Sequence, residues 1–353
     1  MSRKKRQTKD NNIVIVCEGS ETEAPYFEAL KAEVERVNPL KYAKILVVPV
    51  VEDKVKTSVS RSDKKKRALK PAAERTYWIH QEETEELYKE FRAQPVKYVR
   101  EAQLFMEKDG YVEAWAVFDH DNIDFCFRKK AFDLASSVDN LNIAFSSIAF
   151  EEWILAHFER NPQSFPKAQC KDKHGKGLDC GIDPTIGCGG SGCLAGYLRK
   201  QNYLPSYQKN DSTLFDTLYP LLDAARINAA WLRHLDEVPI YERNPYTDVD
   251  RLVSRLLGLD KEYVWVRLGE VFKYNGADVW VEKDNDVMNI NSKTACVILK
   301  ENLISTDLSG NESVLLEKNL MLLNAASNWF PVTAPFLRLN SGNMSFFVDL
   351  ESF

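Results

Sequence analysis

Three carboxylates stand at or just beyond the ends of short apolar runs, where they could bind a hard cation. The run Ile13 to Cys17 is followed by Glu18, and the run Val112 to Phe118 is followed by Asp119 and Asp121. Carboxylates two residues apart on an extended segment point to the same side, so the two aspartates can present oxygens to one ion. Mg²⁺ or Mn²⁺ suits such a sparse acidic site, because Mg²⁺ keeps several waters and takes substrate phosphate oxygens as further ligands. These residues predict a metal site for phosphoryl chemistry.

Each of these signals also has a plainer interpretation. An Asp-x-Asp pair is common in solvated turns, and a glutamate after a strand can open the next helix and stabilise its dipole. The metal interpretation is favoured by position, because Glu18, Asp119 and Asp121 all follow runs that predict buried strands.

The elements that must position these carboxylates alternate between strand and helix. Apolar runs predict strands at residues 13–17, 45–51, 112–118 and 142–147. Helical periodicity predicts helices at residues 20–36, 81–108 (reset near Pro95), 128–138, 150–158, 218–235 and 247–257. Ser20 and Glu23 have capping-box spacing at the first helix, and Thr247 is expected to cap the last. The alternation predicts an α/β fold with a parallel sheet flanked by helices, whose ligand site lies at the carboxyl ends of the strands.

The last quarter of the chain has a different pattern. From about Glu262 the sequence is β-rich, and Tyr263 to Arg267 and Asp278 to Glu282 predict strands around an Asn275-Gly276 turn. Residues 311–326 predict a helix and residues 344–350 a final strand. We therefore expect a catalytic domain at 1–259, with an insertion at about 161–209, and a smaller β-rich C-terminal domain at 260–353.

Composition narrows the class of protein. The chain has 353 residues, 44% of them hydrophobic, and a formal net charge of −5. No apolar run approaches the roughly 20 residues of a membrane span, and no signal peptide is evident, so we expect a cytoplasmic protein without a membrane partner. Lys54 to Lys70 nevertheless holds eight Lys or Arg and one acid. This segment is either a solvated loop or an arm that contacts phosphates.

Cysteines are concentrated in the insertion. The chain has seven cysteines, which are expected to be reduced thiols rather than a disulfide framework. Four of them share a glycine-rich stretch with His174: Cys170, Cys180, Cys188 and Cys193. They predict either a structural Zn²⁺ site, with His174 as the surplus ligand, or ordinary thiols.

Several motifs, in order along the chain, resemble those of the RloB-like family of prokaryotic defence-associated proteins. They are Ile15 to Phe27 (Ile-Val-Cys-Glu-Gly-x-x-Thr-Glu-x-x-Tyr-Phe), Val117 to Asp121, Ala144 to Ser146, Phe150 to Phe158, Tyr207-x-Lys209 and Asn244-Pro-x-Thr247. The resemblance covers roughly residues 10–258. It implies a TOPRIM-like (Rossmann-like) fold with a first-strand Glu and a later Asp-x-Asp. It also implies a metal-dependent nuclease that cleaves RNA, tRNA included, or DNA in antiphage defence, beside an ATPase partner.

The resemblance adds three candidate site residues. Glu151 opens a helix, where its carboxylate could join the metal cluster or orient a basic group. His157 could bind a substrate phosphate, or it could be a core histidine with its hydrogen bonds satisfied. Lys209 could clamp a scissile phosphate, or it could be an exposed loop lysine.

Two other classes of function compete with the nuclease. A phosphohydrolase or phosphotransferase acting on small molecules would want an Asp nucleophile after the first strand, where this chain has Glu18. A non-catalytic module that binds nucleic acid or senses a signal would use the β-rich region for recognition and keep the acidic residues for structure.

Overall fold

The computed structural model describes the chain in two compact units, which divide between Leu257 and Gly258. The residues described are 11–49, 94–120, 124–235, 237–284, 287–292, 296–298, 303–306, 312–316, 321–323, 329–331 and 336–350. The predicted elements at 50–51 and 81–93, Asp121, and the basic segment from Lys54 to Lys70 lie outside them.

The first unit alternates strands and helices along most of its length. Its strands are β1 (Asn12–Cys17), β2 (Lys44–Val48), β3 (Glu113–Asp119), β4 (Leu141–Ser147) and β5 (Tyr246–Thr247). Its helices are α1 (Glu23–Val37), α2 (Gln94–Asp109), α3 (Phe125–Ser136), α4 (Glu151–Ala156), α5 (Leu194–Lys200), α6 (Leu214–Leu218), α7 (Leu222–Leu235) and α8 (Val249–Leu257). Short 3₁₀ turns lie at Tyr219–Leu221 and Ile240–Glu242.

These strands form one sheet in the order β2-β1-β3-β4-β5. The first four are parallel, and β5 joins β4 antiparallel. The side chains of β1 alternate between two cores, as a strand covered on both faces requires. Ile13 and Ile15 pack in the core that contains residues of α1, α4 and α8, whereas Val14 and Val16 pack with residues of α2 and α3. The predicted parallel α/β sheet flanked by helices is confirmed.

Two helix starts differ from the prediction. Helix α1 begins at Glu23 after Thr22, so the Ser20 capping box is wrong; the Thr22 hydroxyl donates to the carbonyl of Lys209 (2.9 Å) instead of capping the helix. Helix α8 begins at Val249, and Thr247 belongs to β5. Its hydroxyl pairs with Ser146 Oγ at 3.1 Å and also accepts from the backbone nitrogen of Val249 at 3.4 Å. At the first helix, a tertiary contact replaces the expected cap. At α8, Thr247 binds the first helical amide from two residues before the helix, so it is not the N-cap residue itself.

The second unit is β-rich, as predicted. Its strands are β6 (Glu262–Val266), β7 (Phe272–Tyr274), β8 (Ala277–Asp284), β9 (Val287–Ser292), β10 (Cys296–Ile298), β11 (Leu303–Thr306), β12 (Glu312–Leu316), β13 (Met321–Leu323), β14 (Trp329–Pro331), β15 (Phe336–Ser341) and β16 (Met344–Asp349). They form sheets in the orders β12-β11-β15-β16-β6, β14-β9-β8-β7 and β10-β13. The predicted final strand is confirmed by β16.

Two details of this unit correct the sequence interpretation. The Asn275-Gly276 turn, with φ of 48° and 84°, joins β8 to the short β7, whereas the earlier candidate strand is β6 and pairs parallel with β16. The helix expected at 311–326 is wrong, because residues 312–316 form β12 and pair with β11. Antiparallel pairing with the preceding strand overrides local helical preference there.

Among the described residues, no helix is both long enough and apolar enough to cross a membrane.

Candidate functional site

Glu18 and Asp119 lie together at the carboxyl ends of β1 and β3. The two strands are adjacent, with Cys17 opposite Val117, and the backbone nitrogen of Glu18 donates to the Val117 carbonyl at 2.8 Å. Two residues after Val117, the backbone nitrogen of Asp119 donates to Glu18 Oε2 at 3.0 Å. The Asp119 side chain is buried. Parallel pairing therefore brings these two carboxylates to the same edge of the sheet.

Two further carboxylates, Glu23 in the first turn of α1 and Glu151 in the first turn of α4, approach Asp119. Both are buried. Burial raises the pKa of Asp119 well above its usual value, and repulsion by Glu23, Glu18 and Glu151 raises it further; Lys209 opposes the shift. The pKa of Glu23 is raised by burial and by Glu151, against hydrogen bonds from backbone amides. We call Glu18, Glu23, Asp119 and Glu151 the carboxylate site.

Glu23 is the member of the carboxylate site that sequence reasoning missed. A Cβ on Gly19 would lie 2.2 Å from Glu23 Oε2, so the glycine leaves the space that this carboxylate occupies. The sequence carried a signal, since Glu23 is the second Glu of the Ile15 to Phe27 motif, but the spacing to Ser20 assigned it to a helix cap.

Lys209 is the cation at this site. Its ammonium Nζ lies 3.7 Å from Glu151 Oε1, and its side chain is 39% exposed, which leaves it accessible to a ligand. Its backbone carbonyl accepts from the Thr22 hydroxyl, and the neighbouring Tyr207 hydroxyl donates to Glu151 Oε1 at 3.0 Å. These two hydrogen bonds, from the Tyr207 side chain and to the Lys209 backbone, hold residues 207–209 beside the carboxylate site.

His157 does not join the carboxylate site through any of its contacts. Its Nδ1 lies 2.8 Å from the carbonyl of Trp153, and its ring packs on the Trp153 ring with centroids 4.5 Å apart. Burial lowers its pKa to about 4, so the ring is neutral at physiological pH. Its Nε2 is buried and has no hydrogen-bond partner among the residues that the structure describes, so His157 lies in the core with one of its two ring nitrogens unsatisfied.

The carboxylate site fits a divalent cation in its chemistry. Buried carboxylates that repel one another are stabilised by a positive charge among them, and their oxygens are ligands that Mg²⁺ and Mn²⁺ accept. Within the part of the chain that the structure describes, the four cysteines are the group that brings at least three ligand atoms within 4.8 Å of one another. The carboxylates are less tightly grouped, and Mg²⁺ usually takes one or two of them.

The four cysteines of the insertion form a second candidate metal centre. The sulfurs of Cys170, Cys180, Cys188 and Cys193 all lie within 4.8 Å of one another, and these cysteines are free thiols. Cys188 Sγ is 3.4 Å from Cys170 Sγ, 3.2 Å from Cys180 Sγ and 3.5 Å from Cys193 Sγ. Tetrahedral ligation with Zn–S bonds of about 2.3 Å places sulfurs about 3.7 Å apart. The expected cysteine cluster is present, and His174 is not one of its members.

Backbone amides donate to the sulfurs of this cysteine cluster. The nitrogens of Cys188 and Gly190 donate to Cys180 Sγ at 3.1 and 3.2 Å, and the nitrogen of Gly192 donates to Cys188 Sγ at 3.2 Å. Burial by itself raises the pKa of Cys188, but the Cys180 thiol, the Gly192 amide and further thiols lower it to about 6. The loop therefore favours thiolate, the form that binds metal, at Cys188. Burial instead raises the pKa of Cys180 and of Cys193.

Comparison with known proteins gives a family match. A family model described as RloB-like protein matches residues 13–256, which contain both the carboxylate site and the cysteine cluster. No curated protein and no solved structure matches the chain.

Proposed function

Because the chain belongs to the RloB-like protein family, we propose that it is a metal-dependent nuclease that hydrolyses phosphodiester bonds in nucleic acid. The observation that carries this proposal is the meeting of Glu18, Glu23, Asp119 and Glu151 with Lys209 at the carboxyl edge of a parallel sheet. Ligand sites of open α/β sheets lie at this edge.

The side chains of the carboxylate site and Lys209 would have different roles in such a reaction. Asp119 and Glu18 are the first candidates to hold Mg²⁺ or Mn²⁺, with Asp121 following in the same segment. The bound ion would act as a Lewis acid on the phosphate and would activate water as the nucleophile. Lys209 can pair with phosphate oxygens. Glu23, with its raised pKa, is suited to hold a proton and release it to the leaving oxygen.

The substrate and setting are proposed from the family resemblance rather than from geometry. We propose that the substrate is RNA, tRNA included, or DNA, cleaved in antiphage defence beside an ATPase partner. The net excess of seven positive charges between Lys54 and Lys70, eight basic residues against one acid, supports contact with phosphates.

Divalent-dependent cleavage tests the nuclease directly. We expect the purified chain to cut a mixture of RNA and DNA with Mg²⁺ or Mn²⁺ present, and Glu18→Gln to lose at least about 100-fold of the rate. Mutation of a residue that only supports a metal ligand typically lowers activity about 10- to 100-fold. Replacing a ligand itself should lower the rate at least as much. Glu21→Gln is the matched control, because Glu21 is exposed in the same turn and should keep full activity.

Three results would count against the nuclease. Cleavage that persists in EDTA would show that the reaction does not need a metal. Full activity of Glu18→Gln would show that the carboxylate site does not carry the reaction. Hydrolysis of small phosphate esters without cleavage of either nucleic acid would support the phosphohydrolase instead.

We also propose that the cysteine cluster binds structural Zn²⁺ through Cys170, Cys180, Cys188 and Cys193. Protein purified without added metal is expected to contain about one zinc per chain by elemental analysis, as a closed four-thiolate site requires. His174→Ala should keep the metal and Cys188→Ser should lose it. Less than about 0.2 zinc per chain, with the insertion still folded, would leave these residues as ordinary thiols.

A further inference from the structure

A buried arginine connects the cysteine cluster to the segment beside the carboxylate site. Arg199 Nη1 donates to the carbonyls of Leu178 and Cys180, both at 3.2 Å. From the other side of the guanidinium, Nε and Nη2 donate to the carbonyl of Tyr207 at 3.0 and 2.7 Å. The Arg199 side chain is 2% exposed. One planar cation thus clamps the backbone next to Cys180 onto the backbone at Tyr207.

Tyr207 continues this connection into the carboxylate site. Its side chain is buried, and its hydroxyl donates to Glu151 Oε1 at 3.0 Å, the same oxygen that faces Lys209 Nζ at 3.7 Å. The Tyr207 carbonyl and hydroxyl belong to one residue whose side chain is held by burial, so a shift of the backbone held by Arg199 also moves the donor to Glu151.

At its other end, the connection depends on the cysteine cluster. Helix α5, which carries Arg199, begins directly after Cys193. A Cβ on Gly181 would lie 2.0 Å from the carbonyl oxygen of Gly196 in this helix, so the Cys180 loop and α5 touch backbone to backbone. Ligation of Cys180 and Cys193 by one metal would fix the Cys180 loop, whose carbonyls Arg199 binds, against the start of the helix that carries Arg199.

Removing metal from the cysteine cluster should therefore change the geometry of the carboxylate site. A buried guanidinium that loses two carbonyl acceptors is costly to leave unpaired, so it follows the loop or rearranges. Catalytic geometry is sensitive to displacements of about 1 Å.

We propose that Arg199 and Tyr207 are positioning residues, through which the metal state of the cysteine cluster sets the geometry of Glu151 and Lys209. This proposal rests on the proposed function, because it takes the carboxylate site as a divalent-cation site. It makes the cysteine insertion a regulator of that site.

A thermodynamic cycle tests the connection without measuring activity. Mn²⁺ binding is measured by electron paramagnetic resonance in wild type and in Tyr207→Phe, each before and after removal of zinc by chelation and dialysis. Mn²⁺ prefers oxygen ligands, so it reports on the carboxylates rather than the thiols. Tyr207→Phe removes the hydroxyl bonded to Glu151 and leaves the carbonyl that Arg199 holds.

Zinc removal is expected to weaken Mn²⁺ binding to wild type about tenfold, and Tyr207→Phe to cause a similar loss with zinc present. In Tyr207→Phe, zinc removal should add less than about twofold, because coupled changes are not additive. Tyr203→Phe is the matched control: its hydroxyl donates to Glu159 Oε2 at 2.7 Å, a carboxylate outside the site. This variant should respond to zinc removal as wild type does.

The outcomes separate the connection from the proposed function. Equal weakening by zinc removal in wild type and Tyr207→Phe, or no weakening in wild type, overturns the connection while the nuclease stands. Wild type that binds no Mn²⁺ overturns the proposed function, and the connection with it. If the chain purifies without zinc, the proposed control of the carboxylate site by metal at the cysteine cluster is overturned.

Discussion

Asp119→Asn is expected to abolish metal-dependent cleavage while it stabilises the metal-free protein. The loss of rate should be at least about 100-fold, since a candidate ligand is replaced and not only a group that supports one. The gain in stability follows from electrostatics: Asp119 is buried among Glu23, Glu18 and Glu151, and its pKa is raised well above the usual value. Asparagine has the same shape without the charge.

The sign of the pH dependence follows from the direction of this shift. The unfolded chain releases the Asp119 proton near pH 4, whereas the folded chain holds it to higher pH. The contribution of Asp119 to stability therefore falls as pH rises from the unfolded pKa towards the folded one. The variant avoids this loss, so its melting temperature in EDTA should exceed that of wild type at pH 8 and approach it at pH 4.

Differential scanning fluorimetry across this pH range checks the prediction. Asp139→Asn is the control, because Asp139 is exposed and should melt like wild type throughout. If the variant is less stable than wild type at pH 8, then repulsion by the neighbouring carboxylates does not destabilise the folded protein through Asp119. Added Mn²⁺ should stabilise wild type more than Asp119→Asn, since a ligand stabilises the state it binds.

The part of the carboxylate site that lies on strands could be predicted from the sequence. Glu18 and Asp119 each follow an apolar run, and parallel strands share a carboxyl edge, so local pattern and topology together imply that they meet. Glu23 could not be placed in this way, because it lies on a helix and reaches the site through the space above Gly19. That approach depends on a tertiary position that residue spacing does not contain.

In the β-rich unit, the sequence predicted strands but not which strands pair. The alternation at β6 and β8 predicted strands correctly, yet β6 pairs with β16, about 80 residues later in the chain. Residues 312–316 are strand because β11 pairs beside them. Partner choice between distant segments is decided by packing, which the local pattern does not encode.

Removal of metal from the cysteine cluster is expected to unfold the loop from Cys170 to Cys193. The small core here consists of Cys170, Cys180 and Cys193, with Leu178 and Cys188 packed against them. Sulfurs thus supply most of what this loop buries, and structural zinc contributes roughly 10 kcal/mol or more where few apolar contacts exist. The amides of Cys188, Gly190 and Gly192, which donate to sulfur, should lose protection first.

Hydrogen exchange measured by mass spectrometry gives the size of the effect. Peptides covering residues 180–193 should exchange at least about 1,000-fold faster after chelation, which corresponds to about 4 kcal/mol of local stability. Cys180→Ser should match the chelated protein. Cys126→Ser, at an exposed cysteine outside the cluster, should match the wild type with metal bound. Unchanged exchange after complete removal of metal would mean that glycine turns and amide–sulfur hydrogen bonds hold the insertion by themselves.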